Sequence, residues 1–130
     1  MPRSAIVGTG FPVPDRVVTN DELTRYMETS DEWIRERSGI EERRWIEPGT
    51  TGAQMAAEAS RMALDEAGLE PGDLDAIVLA TLSPDHFFPG TGVFLQRELG
   101  ASGIPAIDLR AQCSGFVYGL SVADAFIRSQ

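Results

Sequence analysis

A chain of 130 residues with 42% hydrophobic content suits one packed domain or part of one, and its composition excludes a disordered, collagenous or membrane-spanning polypeptide. A net charge of −9 repels phosphate backbones and anionic lipids, so neither nucleic acid nor a membrane surface is expected as a partner. One cysteine allows neither an internal disulfide nor a thiol-only metal site, and no signal-like apolar segment opens the chain, which points to a reducing, cytoplasmic setting.

Ala5-Ile6-Val7-Gly8 reads as a short buried strand, broken by Thr9-Gly10-Phe11-Pro12-Val13-Pro14. Gly8-Thr9-Gly10 begins a dinucleotide fingerprint, but Val13 stands at the third glycine and two prolines occupy the required helix start. Thr19 with Glu22 and Thr29 with Glu32 have capping-box spacing, predicting short helices near 20–27 and 30–37, the second stopped by Gly39. This stretch is no regular βα unit; it reads as an insertion at about 15–48, and such insertions often carry binding residues. All eleven basic residues are arginine, and Arg35, Arg37, Arg43 and Arg44 cluster here. They form either an anion patch or a solvated set of partners for Glu32, Glu36, Glu41 and Glu42. Trp33 and Arg37, four apart, share a helix face: either a structural Trp packed under an Arg, or a flat aromatic surface beside a guanidinium fork.

Thr51 and Gln54 predict a capped main helix with Met55, Ala56, Ala59, Met62, Ala63 and Ala67 along its core face, ended by a left-handed Gly68. Ala76–Thr81 is an apolar, β-branched run expected to form a parallel strand covered on both faces. The loop from Leu82 to Pro89 carries the only histidine, His86, which reads as structural since no zinc spacing accompanies it. A short helix over Gly90–Leu99 and a strand over Pro105–Arg110 follow. Ser114–Ser129 has almost no polar face and is expected to be a buried helix, with Gly115, Gly119 and Ala123 forming a small-residue stripe for close approach. The pattern is α/β, a mostly parallel sheet with helices on both faces.

Cys113 sits where the last strand gives way to the last helix. Ligands of open parallel sheets bind beyond the carboxyl ends of the strands, and a helix start favours a negatively charged sulfur. The Cys113 N–H is placed to donate to an oxyanion when the sulfur attacks a thioester, and Ala111 and Gly115 give a sharp strand–nucleophile–helix turn its clearance. A cysteine hydrolase would explain this elbow but not Trp33 and Arg37.

Thr29-Ser30-Asp31-Glu32-Trp33-Ile34, then Arg37-Ser38-Gly39-Ile40 with Glu42-Arg43, then Gln112-Cys113-Ser114-Gly115-Phe116 resemble β-ketoacyl-acyl-carrier-protein synthase III, the initiating condensing enzyme of fatty-acid synthesis. The resemblance runs from Ile6 to Ser129 and implies a thiolase-like, N-terminal half-domain over 1–130, with a coenzyme A-binding insertion at about 15–48. It implies that Cys113 is the acylated nucleophile, that Trp33 and Arg37 clamp the adenine end of coenzyme A, and that Phe88 crosses a two-fold interface to close the partner's acyl pocket. Acyl-coenzyme A and acyl-carrier protein are the implied partners, with a homodimer in the complete protein and no cofactor required. The family's histidine and asparagine, which stabilise the enolate from malonyl thioester, lie in a second half beyond Gln130, and His86 is not that histidine. The chain alone is therefore expected to lack condensing activity. Related enzymes making polyketides, signals or ketones share these motifs, and a non-catalytic truncated subunit is the remaining alternative.

Overall fold

The computed structural model describes residues 4–129. They divide into two compact units: residues 13–50 form one, and the rest of the described chain forms the other.

In the smaller unit, β1 (Arg16–Thr19) pairs antiparallel with β2 (Glu42–Trp45), Arg16 opposite Trp45 and Thr19 opposite Glu42. Arg-Val-Val-Thr and Glu-Arg-Arg-Trp show no apolar alternation, so the sequence reading found neither strand. Polar bonds hold the pair together instead. Buried Asn20 donates to the Asp31 carboxylate and to the Ile40 carbonyl, each at 2.8 Å, and its Oδ1 accepts from Arg43 at 2.6 Å. Arg43 also donates to the Val18 carbonyl at 3.2 Å, which ties β2 to β1 from inside.

Between these strands lie α1 (Asn20–Leu23) and α2 (Asp31–Ser38). α1 is shorter than the expected 20–27. Thr19 Oγ1 accepts from the Glu22 N–H at 3.3 Å, but the Glu22 carboxylate turns to Arg16 at 2.7 Å instead of back to the cap. Ser30, not Thr29, caps α2: its Oγ accepts from the Trp33 N–H at 3.1 Å, and Gly39, left-handed at φ 70°, ends the helix.

The larger unit is built on α3 (Gly52–Ala67), and its capping box forms as expected. Thr51 Oγ1 accepts from the Gln54 N–H at 3.1 Å while Gln54 Oε1 accepts from the Thr51 N–H at 3.0 Å. The most buried side of α3 is Ala53, Ala57 and Leu64 rather than the row expected. Met62 is exposed and Met55 half-buried, so the methionines are not core. The Ala59-Ala63-Ala67 row serves the N-terminal segment instead. Residues 4–10 form no strand; they cross α3 so closely that a Cβ on Gly8 would collide with the Ala63 carbonyl, and one on Gly10 with the Ala59 carbonyl. Close backbone approach, not a nucleotide, accounts for this glycine pair. Ile6 and Val7 stay exposed, since the segment has no strand partner among the described residues. Its tethers are polar: the Thr9 N–H and Oγ1 donate to Glu66 at 2.7 and 2.9 Å, and Ser4 donates to Asp124 at 2.6 Å.

β3 (Ile77–Ala80) and β4 (Ala106–Leu109) pair in parallel, Ile77 opposite Ala106 and Ala80 opposite Leu109. α4 (Gly92–Leu99) and α3 cover one face, where Ala57, Ile77, Leu95, Leu99 and Ala101 make the core. α5 (Gly115–Arg128) covers the other: a Cβ on Gly115 would lie 3.3 Å from the Ala80 Cβ, and one on Gly119 would lie 3.8 Å from Val78. Helices thus flank both faces of the parallel sheet, while the second sheet, β1 with β2, is antiparallel. The expectation of a buried α5 is not met. Phe116 is 70% exposed, and Val117, Tyr118, Leu120, Phe126 and Ile127 are also exposed, because only the small-residue flank of the helix packs on the two strands.

Two predictions follow from the N-terminal segment. Gly10→Ala forces a methyl group against the Ala59 carbonyl and is expected to cost about 1–3 kcal/mol, read from the urea midpoint; an unchanged midpoint would show that the segment does not lie on α3. The second concerns pH. The Thr9 N–H, then its hydroxyl, hold the Glu66 carboxyl below its ordinary 4.5, and the Ser4 hydroxyl, then Arg128, hold Asp124 below 3.8. A lowered native pKa favours the charged form, so the tether is complete above these ordinary values and is lost as pH falls through the lowered native ones. An NMR titration of the Thr9 amide should give a midpoint under 4.5, and a midpoint at or above it refutes the tether.

Candidate active site

Because β3 and β4 are parallel, their carboxyl ends share one edge, with Thr81 following the first and Arg110 the second. Open α/β sheets bind ligands beyond this edge. Asp108 of β4 organises it. Its carboxylate accepts from the Thr91 N–H at 2.9 Å and the Gly92 N–H at 3.0 Å, capping α4 from another strand. The buried Thr91 hydroxyl is then free to accept from the Asp85 N–H at 2.9 Å. Asp85 in turn accepts from the Gly52 and Ala53 N–H groups, at 2.7 and 2.8 Å, at the start of α3. One hydrogen-bonded path thus runs from β4 through the loop to α3. Only glycine fits at position 90, whose φ is 111° and whose added Cβ would lie 2.6 Å from Asp108 Oδ2. Sequence reasoning missed the roles of Asp85 and Asp108. The available signal was a carboxylate inside the apolar strand Ala106-Ile107-Asp108-Leu109, where a charge needs partners.

Cys113 lies four residues beyond the end of β4, in a turn closed by the Gly115 N–H on the Gln112 carbonyl at 3.0 Å. Its thiol is free and exposed. It precedes the N-cap Ser114 and so stands just outside α5 rather than in its first turn. Ser114 provides no side-chain cap, and of the first-turn N–H groups that of Gly115 is taken up by the Gln112 carbonyl.

The loop between β3 and α4 presents Phe87 and Phe88 to solvent, 81% and 90% exposed. The Arg110 guanidinium sits 4.6 Å over the Phe87 ring. With Thr81, Pro84, Pro89 and Asp108, these two wall a cavity of about 490 Å³. His86 packs against Phe94 with ring centroids 4.5 Å apart. Among the described residues no group of three His, Cys, Asp or Glu side chains could hold a metal ion. A second, more apolar cavity of about 720 Å³ lies along α5 and β3, lined by Val78, Ala80, Phe116, Leu120, Phe126 and Ile127.

In the smaller unit, the Arg37 guanidinium stacks 4.4 Å over Trp33 and donates to its carbonyl at 3.4 Å. Trp33 remains 53% exposed, so the pair is both an internal stack and an open flat surface. Such an exposed stack is worth about 0.5–1 kcal/mol. The other clustered arginines have partners: Arg35 pairs with Glu41 at 2.7 Å, Arg44 with Glu42 at 3.8 Å, and Arg43 holds Asn20. They are mostly an internal charge network, not an anion patch. Nearby in sequence, the Thr29 hydroxyl is buried without a hydrogen-bond partner. Of the four residues singled out from the sequence, Trp33 and Arg37 belong to the smaller unit and Phe88 and Cys113 to the larger.

Asp108→Ala leaves the amides of buried Thr91 and Gly92 without their acceptor, and a loss of about 1–3 kcal/mol is expected in urea unfolding. Amide exchange at Thr91 and Gly92 should accelerate together; protection equal to the parent's would exclude the cross-strand cap.

The family profile for 3-oxoacyl-[acyl-carrier-protein (ACP)] synthase III matches residues 107–130. The chain is 49% identical to β-ketoacyl-[acyl-carrier-protein] synthase III of Bordetella petrii, over 99% of this chain and 41% of that protein. Among solved structures, 3-oxoacyl-[acyl-carrier-protein] synthase III from Aquifex aeolicus superposes with a TM-score of 0.89 at 48% identity, covering 95% of this chain and 40% of that one. The priming β-ketosynthase of the R1128 polyketide pathway gives 0.86 at 38% identity, covering 92% and 36%. The chain therefore spans about two fifths of the length of the relatives it matches. Along nearly its whole length the chain is thus similar, in sequence and in its thiolase-like fold, to about two fifths of these β-ketoacyl-[acyl-carrier-protein] synthases III.

Proposed function

We propose that the chain carries the acyl-accepting half of a condensing enzyme, with Cys113 as the nucleophile. The observation that carries this reading is the exposed, free thiol at the carboxyl edge of the parallel sheet, immediately before α5. The Cys113 sulfur, as thiolate, attacks the carbonyl carbon of an acyl-coenzyme A while the Cys113 N–H donates to the developing oxyanion. The bond to the coenzyme A sulfur then breaks, coenzyme A leaves as a thiolate and takes up a proton, and the acyl group remains on Cys113 as a thioester. No cofactor or metal enters this step.

The segment at about 15–48 serves as the coenzyme A-binding insertion, with the open face of the Trp33–Arg37 stack receiving the adenine. Phe88, exposed here, reaches across the interface of a homodimer and limits the acyl chain in the pocket of the second copy. In the complete protein the acyl-enzyme condenses with malonyl-acyl-carrier protein to initiate fatty-acid synthesis, in the cytoplasm. No helix of the described residues is long and apolar enough to cross a membrane, and the net charge of −9 disfavours nucleic acid. The similarity to the R1128 priming ketosynthase supports a second reading, polyketide priming, which uses the same acyl-enzyme step with a different donor.

The test is intact-mass spectrometry of the chain incubated with acetyl-coenzyme A. A persistent acyl adduct is expected, absent in Cys113→Ala, and Trp33→Ala with Arg37→Ala should raise the half-saturating donor concentration about tenfold. An adduct that survives in Cys113→Ala would overturn the assignment.

A further inference from the structure

We propose that Arg110 is a positioning residue: by stacking on Phe87 it holds the aromatic loop tip that carries Phe88, and so, in a homodimer, tunes the acyl-chain length accepted across the two-fold interface. The proposal deepens the acyl-transfer reading above and rests on it.

The loop between β3 and α4 is anchored at both ends. Asp85 grips the start of α3, and Thr91 and Gly92 are held by Asp108. Between those anchors the tip's rings stack at His86 on Phe94 and at Phe87 under Arg110. Burial does not fix Phe87, which is 81% exposed; the stack at 4.6 Å sets where its ring lies. Phe88, the residue assigned to limit the acyl chain, is its neighbour in sequence, so the same stretch of backbone carries both rings.

Arg110 is suited to this task. It follows β4 directly and stands three residues before Cys113, so its backbone is fixed by the same parallel pairing that places the turn. Its guanidinium has no carboxylate partner within ion-pair distance among the described residues, and the acid closest in sequence, Asp108, is engaged by the amides of α4. The planar cation is therefore committed to the ring. An exposed stack of this kind biases a conformational equilibrium by about twofold to fivefold, which is the scale expected of a tuning contact and too small for a folding determinant. Because Phe87 and Arg110 also wall the cavity of about 490 Å³, loosening the stack changes the space beside the loop without altering the turn that carries the sulfur.

The experiment compares the chain with Arg110→Gln, Arg110→Lys and Phe87→Leu, each checked for folding by circular dichroism. Three readouts are taken: acylation of Cys113 by acetyl-, butyryl- and hexanoyl-coenzyme A, its modification by methyl, butyl and hexyl methanethiosulfonate, and its alkylation by iodoacetamide. Arg110→Gln and Phe87→Leu are expected to change the hexanoyl-to-acetyl rate ratio about threefold, with the iodoacetamide rate within about twofold of the parent. Arg110→Lys, which keeps a cation over the ring, should recover most of the parental ratio. Arg110 side-chain protons should show an upfield ring-current shift in NMR that disappears in Phe87→Leu.

A folded Arg110→Gln with parental ratios in both reagent series overturns the proposal, as does absence of the ring-current shift in the parent. If the parent accepts no acyl-coenzyme A at all, the acyl-transfer reading fails. The thiosulfonate series, which needs no coenzyme A, then decides the positioning role: a changed hexyl-to-methyl ratio upholds it and an unchanged one removes it.

Discussion

The carboxyl edge of the parallel sheet depends on one carboxylate, Asp108, held within an otherwise apolar strand. A charged acceptor serving backbone N–H groups at a helix start gains from both the charge-assisted bonds and the helix dipole, about 1.5–3 kcal/mol for a bond to a charged group. That gain is what makes a carboxylate tolerable beside Ala106, Ile107 and Leu109. Its geometric effect is larger than its energetic one. By capping α4 from β4, Asp108 releases the Thr91 hydroxyl for the Asp85 amide, and Asp85 can then cap α3. Two helices and the aromatic loop are thereby indexed to a single strand. Cys113 leaves that same strand, so the loop and the sulfur share one reference.

α3 occupies the complementary position, packed on two sides by different means. Ala53, Ala57 and Leu64 enter the core, where burial of apolar surface stabilises them. The Ala59-Ala63-Ala67 side meets residues 4–10 backbone to backbone, and there the fit is steric: Gly8 and Gly10 have no side chain that could hold the segment off the helix. Contact alone would leave such a segment loosely held, since glycine loses the most conformational freedom on ordering. The carboxylates of Glu66 and Asp124 supply the remaining specificity at residues 9 and 4.

These distinctions explain which parts of the molecule could be read from the sequence. The elements of the larger unit announced themselves, because Thr51 with Gln54, Gly68, and the run Ile77–Ala80 are local signals that tertiary context did not override. The position of Cys113 was legible for the same reason: it follows from counting past a strand. β1 and β2 were not legible, because their pairing is specified by buried Asn20 and Arg43, twenty-three residues apart, and no local period records a contact of that span. The Ala5–Gly8 run failed in the opposite way. Its composition is that of a strand, but a strand requires a partner, and here the glycines lie against the backbone of a helix instead. The Trp33–Arg37 pair was visible from its spacing, while the Asp85–Thr91–Asp108 path, spread over three elements, was not.

The small residues of α5 complete this logic. Glycine in a helix interior costs about 1 kcal/mol relative to alanine, and α5 accepts that cost at Gly119 as well as placing Gly115 at its start. The return is proximity to β3: Gly115 meets Ala80, the last residue of that strand, and Gly119 meets Val78 two residues earlier. Stepping down the helix by one turn therefore steps down the strand by one same-face residue, and the register is fixed by two contacts. With the register fixed, the start of α5 stands at the carboxyl end of β3, the edge that Asp108 organises from β4. A side chain at Gly115 would press on the Ala80 Cβ at 3.3 Å, tighter than ordinary van der Waals contact, and one of the two elements would have to give. The place of the Cys113 sulfur is thus set twice, through β4 by the chain that leads to it and through β3 by the glycines that follow it.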